Sequence, residues 1–523
     1  MKFLRALNVL IWLGLGTAVA GQTYLIDQTD LMPSELPGQL IVPGISASSH
    51  PAPTAAVDRQ SNLAGAQLLN SLVSRGLARG FVGLAYENRD RGHSTVSRDT
   101  FGGLTFVKYG PVLRKSNLDY GLAGRVVIPS PVIGNSSTAR IAPGTSRSLS
   151  RLAMTSPRGP VYSFSEYTAN SLYIYPEHRD HDDRDMYPAN WPYSINSQGS
   201  SGSDRKFLNA LLMTAAAFSA ETRQVLEDNG LFASTLQMIM RRNLKDVNSN
   251  ADYMSAVAHP SAFDGEALRP GRMISHAASI APGDLPPMVR LNVAGEDFGP
   301  RAGLMQMNER LFSTPSAIAR IWRDYHWQRE IVVSAEGTAD PNGRELKFYW
   351  AILRGNPQKI SIEPLNENGS RARITLMWHD DYSAPPLARG EAGPRLTSRV
   401  DIGVFANNGA GLSAPAFISV SFPTHQLRTY GRTEDGDIRL KSIDFRASAR
   451  SAVYDPLLFW EADWRDQFKY HPDGMLAGWT RTTPSQEFLF APDGRLTDGR
   501  QVEYKLPEKV QTEMSVTFSV ADN

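Results

Sequence analysis

The apolar positions of this chain follow two periods, and the change from one to the other divides it. From Asn62 to Leu77 the residues Leu63, Ala66, Leu69, Leu72 and Val73 recur at helical spacing and predict a short amphipathic helix, closed by Gly76 and Gly80. Between 80 and 165 the runs FVGLAY, LTFVKY and GRVVIP read as short strands set off by Gly and Pro. The stretch Ser171 to Phe218 then predicts a strand (Leu172 to Tyr175), a polar loop (Glu177 to Asn190), a second strand (Pro192 to Asn196), a glycine turn and a helix. That helix runs from Asp204 to about 228, with Phe207, Leu208, Leu211, Leu212 and Ala215 on one face. Further helices are predicted over about 233–243, 270–279 and the run SAIARIW ending at Trp322. From Ile331 strict alternation takes over in EIVVSAEG, KFYWAIL, ISIEPL, ARITLMW, VDIGVFA and FISVSF, the pattern of a β-sandwich.

These periods give a multidomain plan. An α/β or α+β central domain covers 62–328, a β-sandwich expected to fold independently covers 329–425, and a β-hairpin-rich region covers 426–523. Residues 21–61, rich in Pro, Ser, Ala and Thr, read as an extended linker with little packed structure. Residues 1–20 read as a signal peptide: Lys2 and Arg5 precede an apolar run from Leu7 to Leu15, and Ala18, Val19 and Ala20 precede Gly21. The apolar run is shorter than the roughly 20 residues a membrane span needs, so no transmembrane segment is expected after processing. The expected location is therefore exported, periplasmic or extracellular.

Composition narrows the chemistry. The 523 residues contain no cysteine, which excludes disulfides, thiolate metal sites and thiol nucleophiles. Lys and Arg number 54 against 53 Asp and Glu, so no net field draws in nucleic acid. Polysaccharide or another cell-surface polymer is the expected partner class.

Candidate chemistry concentrates where a strand ends and a helix begins, the place where open α/β sheets bind ligands. In the turn SQGSSGSD, Gly199 and Gly202 permit close backbone approach, and Ser200, Ser201, Ser203 and Asp204 bring hydroxyl and carboxyl groups to a helix N-terminus. This suits an anion or oxyanion site, or a serine nucleophile, and equally a tight packing turn. Just upstream, Glu177 is followed by His178, Asp180, His181, Asp182, Asp183 and Asp185. Carboxylates and imidazoles in this density suit a divalent cation, Ca²⁺ or Zn²⁺, with His178, Asp180, His181, Asp182 and Asp185 as ligands, and equally a solvated loop of Arg and Asp pairs. The spacing matches neither an EF-hand nor HExxH. His93 in NRDRGHS and His259 in AHPSAFDG are the remaining candidate bases, and GNSST (134–138) is a candidate pocket wall.

Residues 334–350, SAEGTADPNGRELKFYW, resemble the SxDPDGdxLxYxW signature of the polycystic-kidney-disease (PKD) type, or cadherin-like, immunoglobulin-fold domains of exported proteins. Asp340, Pro341 and Gly343 match the turn and Trp350 the core aromatic, while AILRG stands where the family has FGDG. The resemblance implies an immunoglobulin-like spacer or binding module without an activity of its own. The preceding region is similar to large exported bacterial proteins with no assigned reaction. Near the end, FKYHPDGMLAG (468–478) and FLFAPDGRLTDG (488–499) form a small repeat predicting adjacent hairpins, with a faint resemblance to secreted YDxxGRL repeats. Trp460, Trp464, Tyr470 and Trp479 beside Glu461, Asp463 and Asp466 fit either a carbohydrate site or the core of a small β-domain. Two functions remain open. One is an exported hydrolase acting from the central domain; the other is a non-catalytic extracellular or envelope binding protein that uses its β modules.

Overall fold

The computed structural model describes residues 22–45, 55–122, 124–142, 145–147, 149–178, 187–302, 307–380, 382–384, 395–423, 426–433, 436–445, 462–505 and 516–521. Residues 1–20, where the sequence leads one to expect a signal peptide, lie outside them. The protein is multidomain: an α/β unit built on a parallel sheet is followed by β-rich units built from antiparallel and mixed sheets.

Six parallel strands make the first unit: β1 (Thr23–Ile26), β2 (Ala85–Asn88), β3 (Thr105–Tyr109), β4 (Val132–Asn135), β5 (Ser171–Pro176) and β6 (Ser194–Ser197). Their order across the sheet is β1-β3-β2-β4-β5-β6. Every residue of β4, β5 and β6 is buried, as expected of strands covered on both faces. The longer helices are α1 (Ala66–Ser74), α2 (Gly159–Thr168), α3 (Asp204–Ala217), α4 (Ala220–Asp228), α5 (Phe232–Arg242) and α6 (Pro270–Ser279). Helix α3 packs on β4 and β5, and its Phe207, Leu208, Leu211 and Leu212 are all buried.

Three sequence expectations change here. Thr23–Ile26 belongs to the sheet rather than to a linker, because its backbone completes an edge ladder with β3. The helix expected over 204–228 is two helices. Ser219 leaves helical geometry (φ −61°, ψ 159°) and its hydroxyl accepts the Thr222 N–H at 3.1 Å, starting α4. The run SAIARIW is a strand, because its backbone pairs with a neighbour far along the chain, and that pairing overrides its helical spacing.

The second unit packs two sheets on a common core. One has the order β7 (Asn292–Glu296), β10 (Gln328–Ser334), β13 (Arg371–Met377), β12 (Ile360–Pro364). The other has the order β8 (Arg310–Thr314), β9 (Ala317–Ile321), β15 (Ala416–Ser421), β14 (Arg399–Asn407), β11 (Lys347–Arg354). Strands therefore enter this sandwich from Asn292, upstream of the change in period at Ile331. Its centre is filled by Trp322 and Trp378, edge to face at 6.1 Å, with Phe422 stacked on Trp322 at 5.3 Å. Trp350, expected at the centre, is only partly buried, because β11 is an edge strand; its Nε1 donates to the Gly369 carbonyl at 2.7 Å.

The sandwich is also not separate from the α/β unit. Strand β15 is buried along its whole length, and β14 along all but its last residue. Side chains of the five-stranded sheet reach across: Ser421 Oγ donates to the Pro188 carbonyl at 2.6 Å, and Ser419 Oγ accepts the Asn190 N–H at 2.9 Å. Phe405, Leu412 and Ala414 join the core of the first unit.

The third unit is a five-stranded meander, β16 (Leu427–Arg432), β17 (Ile438–Asp444), β18 (Arg465–Tyr470), β19 (Leu476–Thr482) and β20 (Glu487–Phe490). The sequence repeat appears as two equivalent turns. Tyr470 pairs with Leu476 around Gly474 (φ +87°), and Phe490 with Leu496 around Gly494 (φ +84°). Trp464 and Trp479 are buried in its core, and Trp479 stacks on Phe490 at 4.8 Å, so these two rings are structural. Trp460 and Glu461 lie outside the described residues. Among the described residues no helix is long and apolar enough to cross a membrane.

Candidate functional site

The strand order places a switch point in the parallel sheet. After β2 the chain adds β3 on one side, then returns to add β4 on the other, so the connections following β2 and β4 leave in opposite directions at the carboxyl edge, where sheets of this kind place a ligand crevice. The loop after β2 is NRDRGHS and the loop after β4 is the Ser136–Thr138 turn, two stretches 40 or more residues apart in sequence.

Asn135, at the end of β4, is the hub. Its Oδ1 accepts from Tyr86 OH at 2.7 Å and Asn88 Nδ2 at 3.1 Å, and its Nδ2 donates to Asp204 Oδ2 at 2.6 Å. Asp90 ties the two loops together. Its Oδ2 accepts the Ser137 N–H at 3.2 Å and the Ser137 hydroxyl, and faces His93 Nδ1 at 3.3 Å. Arg89 turns the other way, into a buried cluster with Glu87, Glu166 and the Tyr173 hydroxyl, and so anchors the loop from beneath.

The loops after β5 and β6 form the other wall. Glu177 donates its N–H to Ser197 O at 3.0 Å, and its Oε1 accepts the Gly199 N–H at 2.7 Å. His178 donates its N–H to Gly199 O at 3.2 Å. Ser203 Oγ meets Ser197 Oγ at 2.8 Å, and Asp204 is fully buried at the start of α3. Gly199 needs its positive φ of +110°, and a Cβ there would stand 3.3 Å from the Ser203 Cβ.

Three buried atoms in these loops have no hydrogen-bond partner: Glu177 Oε2, His178 Nε2 and Asp204 Oδ1. A buried polar atom left unpaired costs about 1–3 kcal/mol, so a cluster of them in adjacent loops needs a reason. Backbone strain gathers in the same place. Arg91 (φ +54°), Ser94 (φ +55°) and His178 (φ +52°) occupy the left-handed region without being glycine or asparagine, and all three lie in the loops after β2 and β5.

The electrostatics assign different protonation habits. Burial lowers the His178 pKa, opposed by the Ser137 backbone, Glu177, Asp90 and Asp204, so the ring is neutral near pH 7. Burial raises the Asp204 carboxyl, opposed by the hydrogen bond from Asn135. Three amides of the turn and the helix start are already engaged: the Gly199 amide goes to Glu177, the Ser203 amide to Ser200 O, and the Arg205 amide to Gly202 O. The unpartnered atoms are two carboxyl oxygens and an imidazole nitrogen.

Of the residues expected from sequence, His178, Glu177, Gly199, Ser203 and Asp204 stand together, and His93 joins them through Asp90. Ser200 and Ser201 are exposed on the turn, and Gly202 (φ +99°) shapes it. His259 stands elsewhere. It is buried between Arg241, 3.2 Å from its Nδ1, and the Tyr253 carbonyl, and packs on Phe405 at 5.3 Å, so it holds the α/β unit against the sandwich. Its pKa lies well below the usual value, through burial and Arg241. Asp180, His181, Asp182 and Asp185 lie outside the described residues, and among the described residues no group of three or more His, Asp or Glu is placed to hold a metal. Asn135, Asn88, Asp90 and Ser137 were missed as individual site residues. The signal for Asn135 was an amide closing a strand otherwise made of apolar residues and glycine.

No family model matches the chain, and no curated protein matches it. Among solved structures, it is similar to a nucleoside hydrolase-related hypothetical protein from Saccharophagus degradans that is associated with carbohydrate metabolism. The identity is 9%, over 56% of this chain and 71% of that one, with a TM-score of 0.18. At that score the likeness bears on neither fold nor function.

Proposed function

We propose that the protein is an exported hydrolase whose site is the switch-point crevice, with Glu177, His178 and Asp204 as its working residues. The observation that carries this is the convergence of their three unpartnered buried atoms on neighbouring loops. Because Glu177 Oε2 accepts hydrogen bonds and the Gly199, Ser203 and Arg205 amides are already engaged, the crevice is suited to a ligand that donates, a hydroxyl-rich substrate rather than an anion at the turn. His178, neutral at pH 7, takes a proton from the attacking water as the new carbon–oxygen bond forms. Asp204, whose burial favours its protonated form, returns a proton to the leaving oxygen as the old bond breaks, and Glu177 accepts a substrate hydroxyl. The sandwich would act as an immunoglobulin-like support. Its Asp340 accepts the N–H groups of Asn342 and Arg344 at 2.9 and 3.1 Å, the turn chemistry that the PKD-type resemblance implies.

The test is turnover on a panel of glycosides, esters and phosphate esters. His178→Gln, Glu177→Gln and Asp204→Asn are each expected to lower it about 100-fold or more. Ser200→Ala and Ser201→Ala, exposed on the turn, are expected to keep full activity. A wild type inert on the whole panel, or crevice variants with full activity, would leave the non-catalytic binding protein as the better account.

A further inference from the structure

On the opposite flank of β2 lies a second cleft of about 430 Å³, inside the roughly 300–1,000 Å³ range of small-molecule sites. Tyr86 and Phe106, edge to face at 5.6 Å, line it from below. Its rim carries Arg91, Arg98, Lys108 and Arg114 against one lining carboxylate, Asp119. Arg91 and Arg114 share that carboxylate at 3.2 and 3.5 Å, so it balances only one of the pair. Arg98 lies over the Phe106 ring with its guanidinium carbon 4.1 Å from the centroid, which fixes its charge beside the cleft. Lys108 is exposed near the end of β3. Like charges gathered in a concavity with low-dielectric walls focus their field and concentrate ions of opposite sign.

The cleft and the crevice share a wall. Tyr86 and Asn88 line the cleft, while the Tyr86 hydroxyl and the Asn88 amide both bond Asn135 Oδ1, whose other side holds Asp204. One flank of β2 is thus acidic and accepting, the other basic. A ligand bridging them would present hydroxyls to the first and an anion to the second.

We propose that this cleft is a subsite for an oxyanion, a phosphate, sulfate or carboxylate, carried by the substrate of the crevice. The word substrate rests on the hydrolase reading; the anion preference rests on the charges of the cleft alone. Arg91, Lys108 and Arg114 bring three cations to a concavity whose one lining carboxylate is Asp119.

The test is equilibrium binding to the full chain at low ionic strength. The probes are inorganic phosphate, inorganic sulfate, 4-nitrophenyl phosphate and 4-nitrobenzoate, with a neutral 4-nitrophenyl glucoside as control. The expected result is that the anions bind in the millimolar range or tighter, the aryl anions better than the inorganic ions, and that affinity falls with added salt. Lys108→Ala, at an exposed position, and Arg98→Gln should each weaken anion binding about tenfold, while Lys206→Ala, paired with Glu266 on α3, should change nothing. Glu177→Gln should keep anion affinity, which separates this subsite from the catalytic reading. Anion binding without turnover would leave the subsite standing and sink the hydrolase. Turnover without anion binding, or anion binding indifferent to both Lys108→Ala and Arg98→Gln, would overturn the subsite.

Discussion

Glu166→Gln should change how the stability of this protein depends on pH, and the structure gives both sign and size. Glu166 sits on α2 within the sheet's covering layer, 3% exposed, with Oε1 2.6 Å from Arg89 Nη1. Burial pushes its carboxyl from 4.5 up to about 7, more than Arg89 pulls it down, and Glu87 adds to the rise. A carboxyl raised on folding binds a proton more readily in the folded state. Its contribution is therefore fully present below about pH 4.5 and is lost as pH rises through 7. The displacement corresponds to about 3 kcal/mol across that window. Glutamine keeps the size and the acceptor facing Arg89 but does not titrate.

The measurement is urea unfolding of both proteins from pH 4.5 to 8.5, read as the difference between the two stabilities. That difference should move by about 3 kcal/mol in favour of the glutamine variant as pH rises from 4.5 to 7, and level off above that. Other titrating groups, His178 and His259 among them, cancel in the difference. Parallel profiles would refute the reasoning. A difference moving the other way would show that Glu166 is held ionised by Arg89, and that burial is the weaker effect.

Two further outcomes test the packing. Trp322→Ala should cost about 3–5 kcal/mol, the range for losing a fully buried aromatic, whereas Trp350→Ala on the edge strand should cost about 1–2 kcal/mol; equal losses would contradict the placement of Trp322 at the centre. Asp466→Ala should cost about 3–5 kcal/mol, because it strands the buried Arg481 guanidinium that it holds through two bonds of 2.7 Å. The paired change Asp466→Leu with Arg481→Met should recover most of that loss, as followed by the fluorescence of Trp464 and Trp479.

The sequence by itself determined the kinds of element and much of their extent. Helix α6 and the start of α3 follow from apolar spacing, the sandwich strands from alternation, and the two equivalent hairpins from the Pro-Asp-Gly repeat, since each of these signals is local. It also brought out the neighbourhood of Glu177, His178, Gly199 and Asp204, because a strand, a polar loop and a glycine turn are contiguous there. Only the tertiary structure decided which stretches meet. That Asn135 would bond Asp204, 69 residues on, or that Asp90 would reach Ser137, depends on the order in which strands join the sheet, and no periodicity encodes that order. The same cause explains the departures. Thr23–Ile26 became a strand because a sheet edge was there to pair with, and Ala317–Ile321 gave up its helical spacing to a partner about 100 residues away. His259, set in a polar-looking loop, was taken into the core because the sandwich closed over it. Local spacing sets what a segment can be, while backbone pairing and burial between distant segments set where its side chains are used.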